Sequence, residues 1–128
     1  MEFVEVILDT NFILACARQK VYFKEQIDEL IPNSLIVVPE QVKKELSRIS
    51  ADKKQKIKDR QLAELSLDIV KGYPTINLNK KYVDLGIVDY CNSRKNCFVA
   101  TLDKNLKKSL KDSAKLIYIR NMKKLEIS

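Results

Sequence analysis

The 128-residue chain reads as an α/β protein, a central parallel sheet of four to five strands between two layers of helices in an α/β/α arrangement. Three observations predict this. Short continuous apolar runs such as Val6-Ile7-Leu8 and Leu35-Ile36-Val37-Val38 have the length and composition of strands buried on both faces. Longer segments between them carry apolar residues three and four apart, the spacing of one helix face. The two kinds alternate from end to end, which calls for parallel strands joined by right-handed crossovers. There is no linker, repeat or low-complexity segment, so residues 1–128 form one domain.

Strand one covers residues 3–8, and a short helix over 11–18 turns Phe12, Ile13 and Ala17 inward. A second helix spans 22–31 with Phe23, Ile27, Leu30 and Ile31 at helical spacing, and Pro32-Asn33-Ser34 turns the chain. The second strand is 35–38. Pro39 suits a helix start, where its missing N–H costs nothing. That helix runs from Glu40 to about Ser50, with Val42, Leu46 and Ile49 inward. A polar stretch from Asp52 to Lys71 contains Lys53, Lys54, Lys56, Lys58 and Arg60; Leu62, Leu65, Ile69 and Val70 make its second half amphipathic. Gly72-Tyr73-Pro74 ends it, and residues 75–78 read as a short strand. The next helix, 81–94, turns Val83, Ile87, Val88 and Cys91 inward. Residues 97–101 are a buried strand, Asp103 opens a helix to about Lys111, and 115–119 is the last strand.

Composition removes several kinds of chemistry. Without histidine there is no Ser-His-Asp triad and no imidazole base. Two glycines cannot build a P-loop or a dinucleotide fingerprint. Cys16, Cys91 and Cys97 form no CxxC and read as buried free thiols in a reducing compartment. No apolar run approaches the roughly 20 residues of a membrane helix, and Glu2 and Glu5 occupy the place of a basic signal-peptide region. A cytoplasmic protein is expected. The formal charge of +7, from 24 basic and 17 acidic residues, suits a polyanionic partner, although lysine-rich surfaces are also common without one.

Four acids stand out by position. Asp9 and Asp103 each follow a buried strand and precede a helix, so both face the same edge of a parallel sheet, where ligands of α/β proteins bind. Each also has a plainer reading as a helix N-cap. Glu45 lies beside the stripe of Val42 and Ile49. Asp84 falls in line with Ile87, Val88 and Cys91 on a buried face. Their plainer reading is a salt bridge to a nearby cation. Asp89 has mixed to polar helical neighbours and reads as surface. Four carboxylates gathered at one edge bind cations or raise one another's pKa. An all-oxygen set suits Mg²⁺ or Mn²⁺, and the matching chemistry is displacement at phosphate. They should then lie within reach of one metal, or of two about 4 Å apart. Setting the four aside leaves 24 basic residues against 13 acidic ones, a formal charge of +11. Lys43, Lys44 and Arg48 flank Glu45, Lys80 and Lys81 precede Asp84, and Lys104, Lys107 and Lys108 follow Asp103. This basic rim would hold the phosphate backbone of a nucleic acid.

The same residues resemble PIN-domain ribonucleases over essentially the whole chain. The resemblance lies in a strand ending Asp9-Thr10-Asn11, in the run Val38-Pro39-Glu40-Gln41-Val42 followed by Glu45-Leu46, in Asp84, and in Val99-Ala100-Thr101-Leu102-Asp103. The tail from Leu116 to Leu125 resembles the small single-domain archaeal members, which are similar both to toxins of toxin–antitoxin pairs and to rRNA-processing nucleases. The resemblance implies a PIN-like fold and metal-dependent endonucleolytic cleavage of RNA by an activated water, leaving 5′-phosphate and 3′-hydroxyl ends. It implies Asp9, Glu45, Asp84 and Asp103 as the metal site, with Asn11 and Thr101 in support. It further implies RNA as substrate, an antitoxin or a ribosomal precursor as partner, and the homodimer many members form. One departure is Leu85-Gly86 after Asp84, where the family usually has a small or polar residue. It leaves Asp89 open as a fifth contributor or as the true third acid; the helical face favours Asp84. Two other functions fit the same pattern. One is a non-catalytic RNA-binding or scaffold module in ribosome biogenesis. The other is a phospho-receiver domain, which usually has paired acids after strand one and a lysine after the last strand but one; here one acid follows strand one and Asp103 stands where that lysine would be.

Overall fold

The computed structural model describes residues 2–94 and 96–128. The elements run β1 (Val4–Leu8), α1 (Thr10–Gln19), α2 (Phe23–Leu30), β2 (Ser34–Pro39), α3 (Glu40–Ala51), α4 (Ile57–Val70), β3 (Thr75–Ile76), α5 (Val83–Asn92), β4 (Cys97–Ala100), α6 (Lys104–Ser109), β5 (Lys115–Arg120) and β6 (Lys124–Ile127). The strands form one sheet in the order β3-β2-β1-β4-β5-β6. All neighbours are parallel except β5 and β6.

The three layers follow from the period of two along each strand. Val6, Leu8, Ile36 and Val38 point to one side, where they meet Phe12, Ile13, Ile27, Val42 and Leu46 of α1, α2 and α3. Ile7, Val37 and Val99 point to the other, where they meet Ile87 and Cys91 of α5 and Leu106 of α6. Runs with no polar alternation are therefore required: each central strand has helices on both faces. The three cysteines are free and buried, with the Cys91 and Cys97 sulfurs 2.8 Å apart.

The sheet has six strands rather than the four to five expected. The sixth exists because Asn121 and Met122 both adopt positive φ, 54° and 60°, and the Lys123 N–H donates to the Arg120 carbonyl at 3.2 Å. Positive φ at two successive residues is hairpin geometry, and only the asparagine advertises it. The returning strand buries Leu125 completely. Gln26 of α2 clamps it, donating from Nε2 to the Lys123 carbonyl at 3.0 Å and accepting at Oε1 from the Leu125 N–H at 2.7 Å.

Three apolar residues of the helical patterns do not join the core: Leu30 of α2, and Leu65 and Ile69 of α4, are exposed. The buried stripe of α4 is Ala63, Ser66 and Val70. Small side chains bring α4 close to its neighbours, and the larger leucine and isoleucine are left outside. Among the described residues no helix is long and apolar enough to cross a membrane.

Candidate active site

The strand order reverses at β1: the chain proceeds outward through β2 and β3, then returns to the other side of β1 with β4. A crevice forms at such a switch point outside the carboxyl ends of the strands. Asp9 follows β1 and Thr101 follows β4, so the fold itself places these two side by side. The Thr101 hydroxyl donates to Asp9 Oδ2 at 2.7 Å. The Asp9 N–H bonds the Ala100 carbonyl at 3.0 Å, extending the β1–β4 pairing into the site.

Asp9 is the N-cap of α1, its Oδ1 accepting the Thr10 N–H at 2.9 Å. Asp103 is the N-cap of α6, its Oδ1 accepting the N–H groups of Asn105 at 2.8 Å and Leu106 at 3.2 Å. The plainer reading of both acids is therefore correct. It does not compete with the other, because each cap leaves one carboxylate oxygen free of the cap bonds. Thr101 also accepts the Asp103 N–H at 3.1 Å. Asn11 Oδ1 accepts the Leu102 N–H at 3.0 Å, tying the start of α1 to the β4–α6 turn.

Glu45 and Asp84 come from α3 and α5. Together with Asp9, Thr10, Asn11, Leu14, Val83 and Asp103 they line one cavity of about 210 Å³. Neither forms an ion pair among the described residues, so the salt-bridge reading does not apply to them. Glu45 Oε2 accepts the Thr10 hydroxyl at 3.3 Å. Thr10 is a wall residue that the reading of the acids passed over; its one signal is that Thr10 and Leu14, four apart on α1, share the face that Asp9 opens. Asp84 is exposed rather than buried. Helical spacing gives its azimuth correctly but not its height. It sits in the first turn of α5, where the stripe of Ile87 and Cys91 has run out past the strand ends into the cavity. Asp89 is exposed and outside the cavity.

Burial pushes the Asp9 carboxyl above the usual carboxylate range. The Thr101 hydroxyl and the Thr10 amide pull it back, while the charges of Asp84 and Glu45 push it further up. Asp84 is raised by partial desolvation and by the charge of Asp103. Asp9 thus feels the charges of Asp84 and Glu45, and Asp84 that of Asp103, a repulsion of the kind a divalent cation relieves. The donors of the four acids are all oxygen, the set a hard cation takes. Among the described residues no three of them stand close enough together to make a ready-formed metal cage.

None of the eight cations expected as the rim lines the cavity. Lys43 is committed elsewhere: its ammonium donates to the Tyr73 carbonyl at 3.0 Å and to Thr75 Oγ1 at 2.7 Å, bracing α3 against the β3 edge. Lys44 pairs with Glu40 at 3.2 Å. Lys107 and Lys108 line a separate hollow with Lys111 and Leu116. Arg48, Lys80, Lys81 and Lys104 are exposed, with the Lys81 ammonium 5.7 Å from the centre of the Tyr82 ring.

Comparison with known proteins agrees with this architecture. The chain is 29% identical over 125 residues to ribonuclease VapC4 of Methanocaldococcus jannaschii, covering 96% of this chain and 95% of that protein. It superposes on a solved structure of the PIN domain endonuclease Utp24 with a TM-score of 0.79 and 25% identity, covering 97% of this chain and 90% of the other. Residues 6–122 match the family model described as a PIN-like domain. The chain belongs to the PIN-like domain family.

Proposed function

We propose that the protein is a divalent-metal-dependent endoribonuclease that cleaves RNA phosphodiesters at the cavity lined by Asp9, Glu45, Asp84 and Asp103. The observation that carries this reading is the convergence of four acids from four separate elements on one cavity at the switch point of the sheet. The relatives support nuclease activity as a class, being a ribonuclease and an endonuclease.

Asp9, Glu45, Asp84 and Asp103 would hold Mg²⁺ or Mn²⁺. When bound, such an ion lowers the pKa of a coordinated water and neutralises charge on the phosphate oxygens. The chain's own part is positioning. Thr101 fixes the Asp9 carboxylate through its 2.7 Å hydrogen bond. Thr10 orients Glu45, and Asn11 locks the β4–α6 turn that carries Asp103. The Asp84 carboxyl, raised by partial desolvation and by the charge of Asp103, would take up a proton more readily than a fully solvated acid.

The test is cleavage of structured and single-stranded RNA by the purified protein with Mg²⁺, with Mn²⁺ and with chelator. Cleavage is expected with either metal and not with chelator, giving 5′-phosphate products. Asp9→Asn should lower the rate by more than the roughly 10–100-fold that loss of an outer-shell partner costs. Equal inactivity of wild type and Asp9→Asn across substrates and metals would leave a non-catalytic RNA-binding module as the better reading.

A further inference from the structure

The basic run at the start of α4 is left unused by the cavity. Lys53, Lys54, Lys56 and Lys58 are exposed, and among the described residues none of them, nor Arg60, forms an ion pair. The loop that carries them is ordered: Asp52 Oδ1 accepts the Lys54 N–H at 2.9 Å, and its carbonyl accepts the Gln55 N–H at 3.0 Å. Next to the acid-lined cavity lies a second hollow of about 210 Å³, lined by Leu14, Arg18, Ile49, Gln55, Asp59 and Leu62. Leu14 belongs to both walls. Thr10, Leu14 and Arg18 are four apart on α1, so one helix face forms a continuous floor of about 12 Å from the acids to the exposed Arg18.

We propose that this groove between α1, α3 and α4 is the track along which single-stranded RNA leaves the cavity, with Arg18 and the lysines of residues 53–58 gripping its phosphates. The inference rests on the ribonuclease reading and names the substrate's path within it. Phosphates near four carboxylates need compensating cations close by, and the cations expected at the rim do not line the cavity. Arg18 lines the hollow itself, and Lys53, Lys54, Lys56 and Lys58 flank its wall residue Gln55 in sequence; with Arg60 they outnumber the local acids Asp52 and Asp59. Leu14, Ile49 and Leu62 give the floor an apolar surface for sugars and base faces, with Ile57 exposed at the far end.

The test measures binding in chelator, where no cleavage occurs. The probe is fluorescently labelled oligouridine of about 12 nucleotides and a version of about 4, the range covered by single-strand sites. Each phosphate contact contributes roughly 0.7 to the slope of log affinity against log salt. The K53Q/K54Q/K56Q/K58Q variant should lose about 2 to 3 of that slope and on the order of 10- to 100-fold in affinity for the longer probe. It should also stop preferring the longer probe over the shorter. K123Q/K124Q, at the β6 edge of the sheet, should stay within a few-fold of wild type. A quadruple variant that matches this control in slope and affinity overturns the track, as does loop-dependent binding of an acidic polypeptide with no loop dependence for RNA. Cleavage is measured separately with Mn²⁺. Wild-type cleavage with no loop effect rejects the track alone; a loop effect on binding without cleavage at any metal rejects the ribonuclease reading alone.

Discussion

Asp9 caps a helix, accepts a threonine hydroxyl and faces two other carboxylates, all from a buried position. The consequence for stability has a definite sign. The folded protein holds protons on Asp9 and Asp84 more tightly than the unfolded chain, because both are raised above 3.8. In chelated protein these two groups therefore stabilise the fold least when ionised. Their contribution falls as pH rises from 3.8 through the raised folded values. Asp9→Asn keeps an N-cap and removes the charge, so the difference in melting temperature, variant minus wild type, should grow with pH over that window and be positive at pH 7. Calorimetry in chelator checks this; a difference independent of pH sinks it. Thr101 gives a second test. Thr101→Val removes the only side-chain donor to Asp9 Oδ2 among the described residues and should cost roughly 10- to 100-fold in activity or metal affinity, which Thr101→Ser should largely restore. The four acids were legible in the sequence because a carboxylate after a buried strand or beside an apolar stripe conflicts with its surroundings. Thr10 was not, because a hydroxyl conflicts with nothing and acquires its role only when Glu45 arrives from α3.

Among the elements, α5 shows how a local oddity is explained by packing. Gly86 sits in its interior, where alanine would ordinarily stabilise a helix by about 1 kcal/mol. A Cβ there would lie 2.7 Å from the Leu78 Cβ. Beside the departure at Leu85, Gly86 is thus explained by packing: position 86 needs no side chain at all, so that α5 can close on the segment after β3. Gly86→Ala should destabilise the protein by about 1–3 kcal/mol, as overpacking does. It should also lower activity by displacing Asp84, two residues away. Denaturant titration of Gly86→Ala, Leu78→Ala and the double variant checks the cause. In the double variant the two penalties should not add, since removing the Leu78 side chain beyond Cβ gives the backbone room to adjust. Full additivity would assign the cost to something other than this contact. The central strands were legible almost to their ends, since apolar runs leave little choice. The inward face of α4 was not. Its buried stripe of Ala63, Ser66 and Val70 is small and partly polar, while Leu65 and Ile69 are exposed, so hydrophobicity pointed to the wrong side.

At the scale of the whole molecule, what the sequence could not convey was strand order. Each strand announces itself, but nothing local says that β4 lies against β1 rather than β3, and the switch point exists only because it does. The antiparallel β6 was hidden for a similar reason: its turn depends on positive φ at Met122, which a methionine does not signal. The assembled molecule separates its charges. Acids face one cavity, and the formal charge of the rest is +11 against +7 overall. Under the proposed function the surface cations would draw an RNA in while the cavity would repel the phosphate it must receive. A divalent ion would resolve that conflict, and so, without catalysis, would removing the charges. One unit charge at 4 Å in water is worth about 1 kcal/mol, or about fivefold in affinity. In chelator, Asp9→Asn/Asp84→Asn removes two such charges and should therefore bind oligouridine up to about 30-fold more tightly than wild type. Adding Mn²⁺ should tighten wild type and leave the double variant nearly unchanged. Metal-free wild type binding RNA as tightly as the double variant would mean that the bound strand keeps its phosphates away from the cavity, and the acids would then have no phosphate to act on.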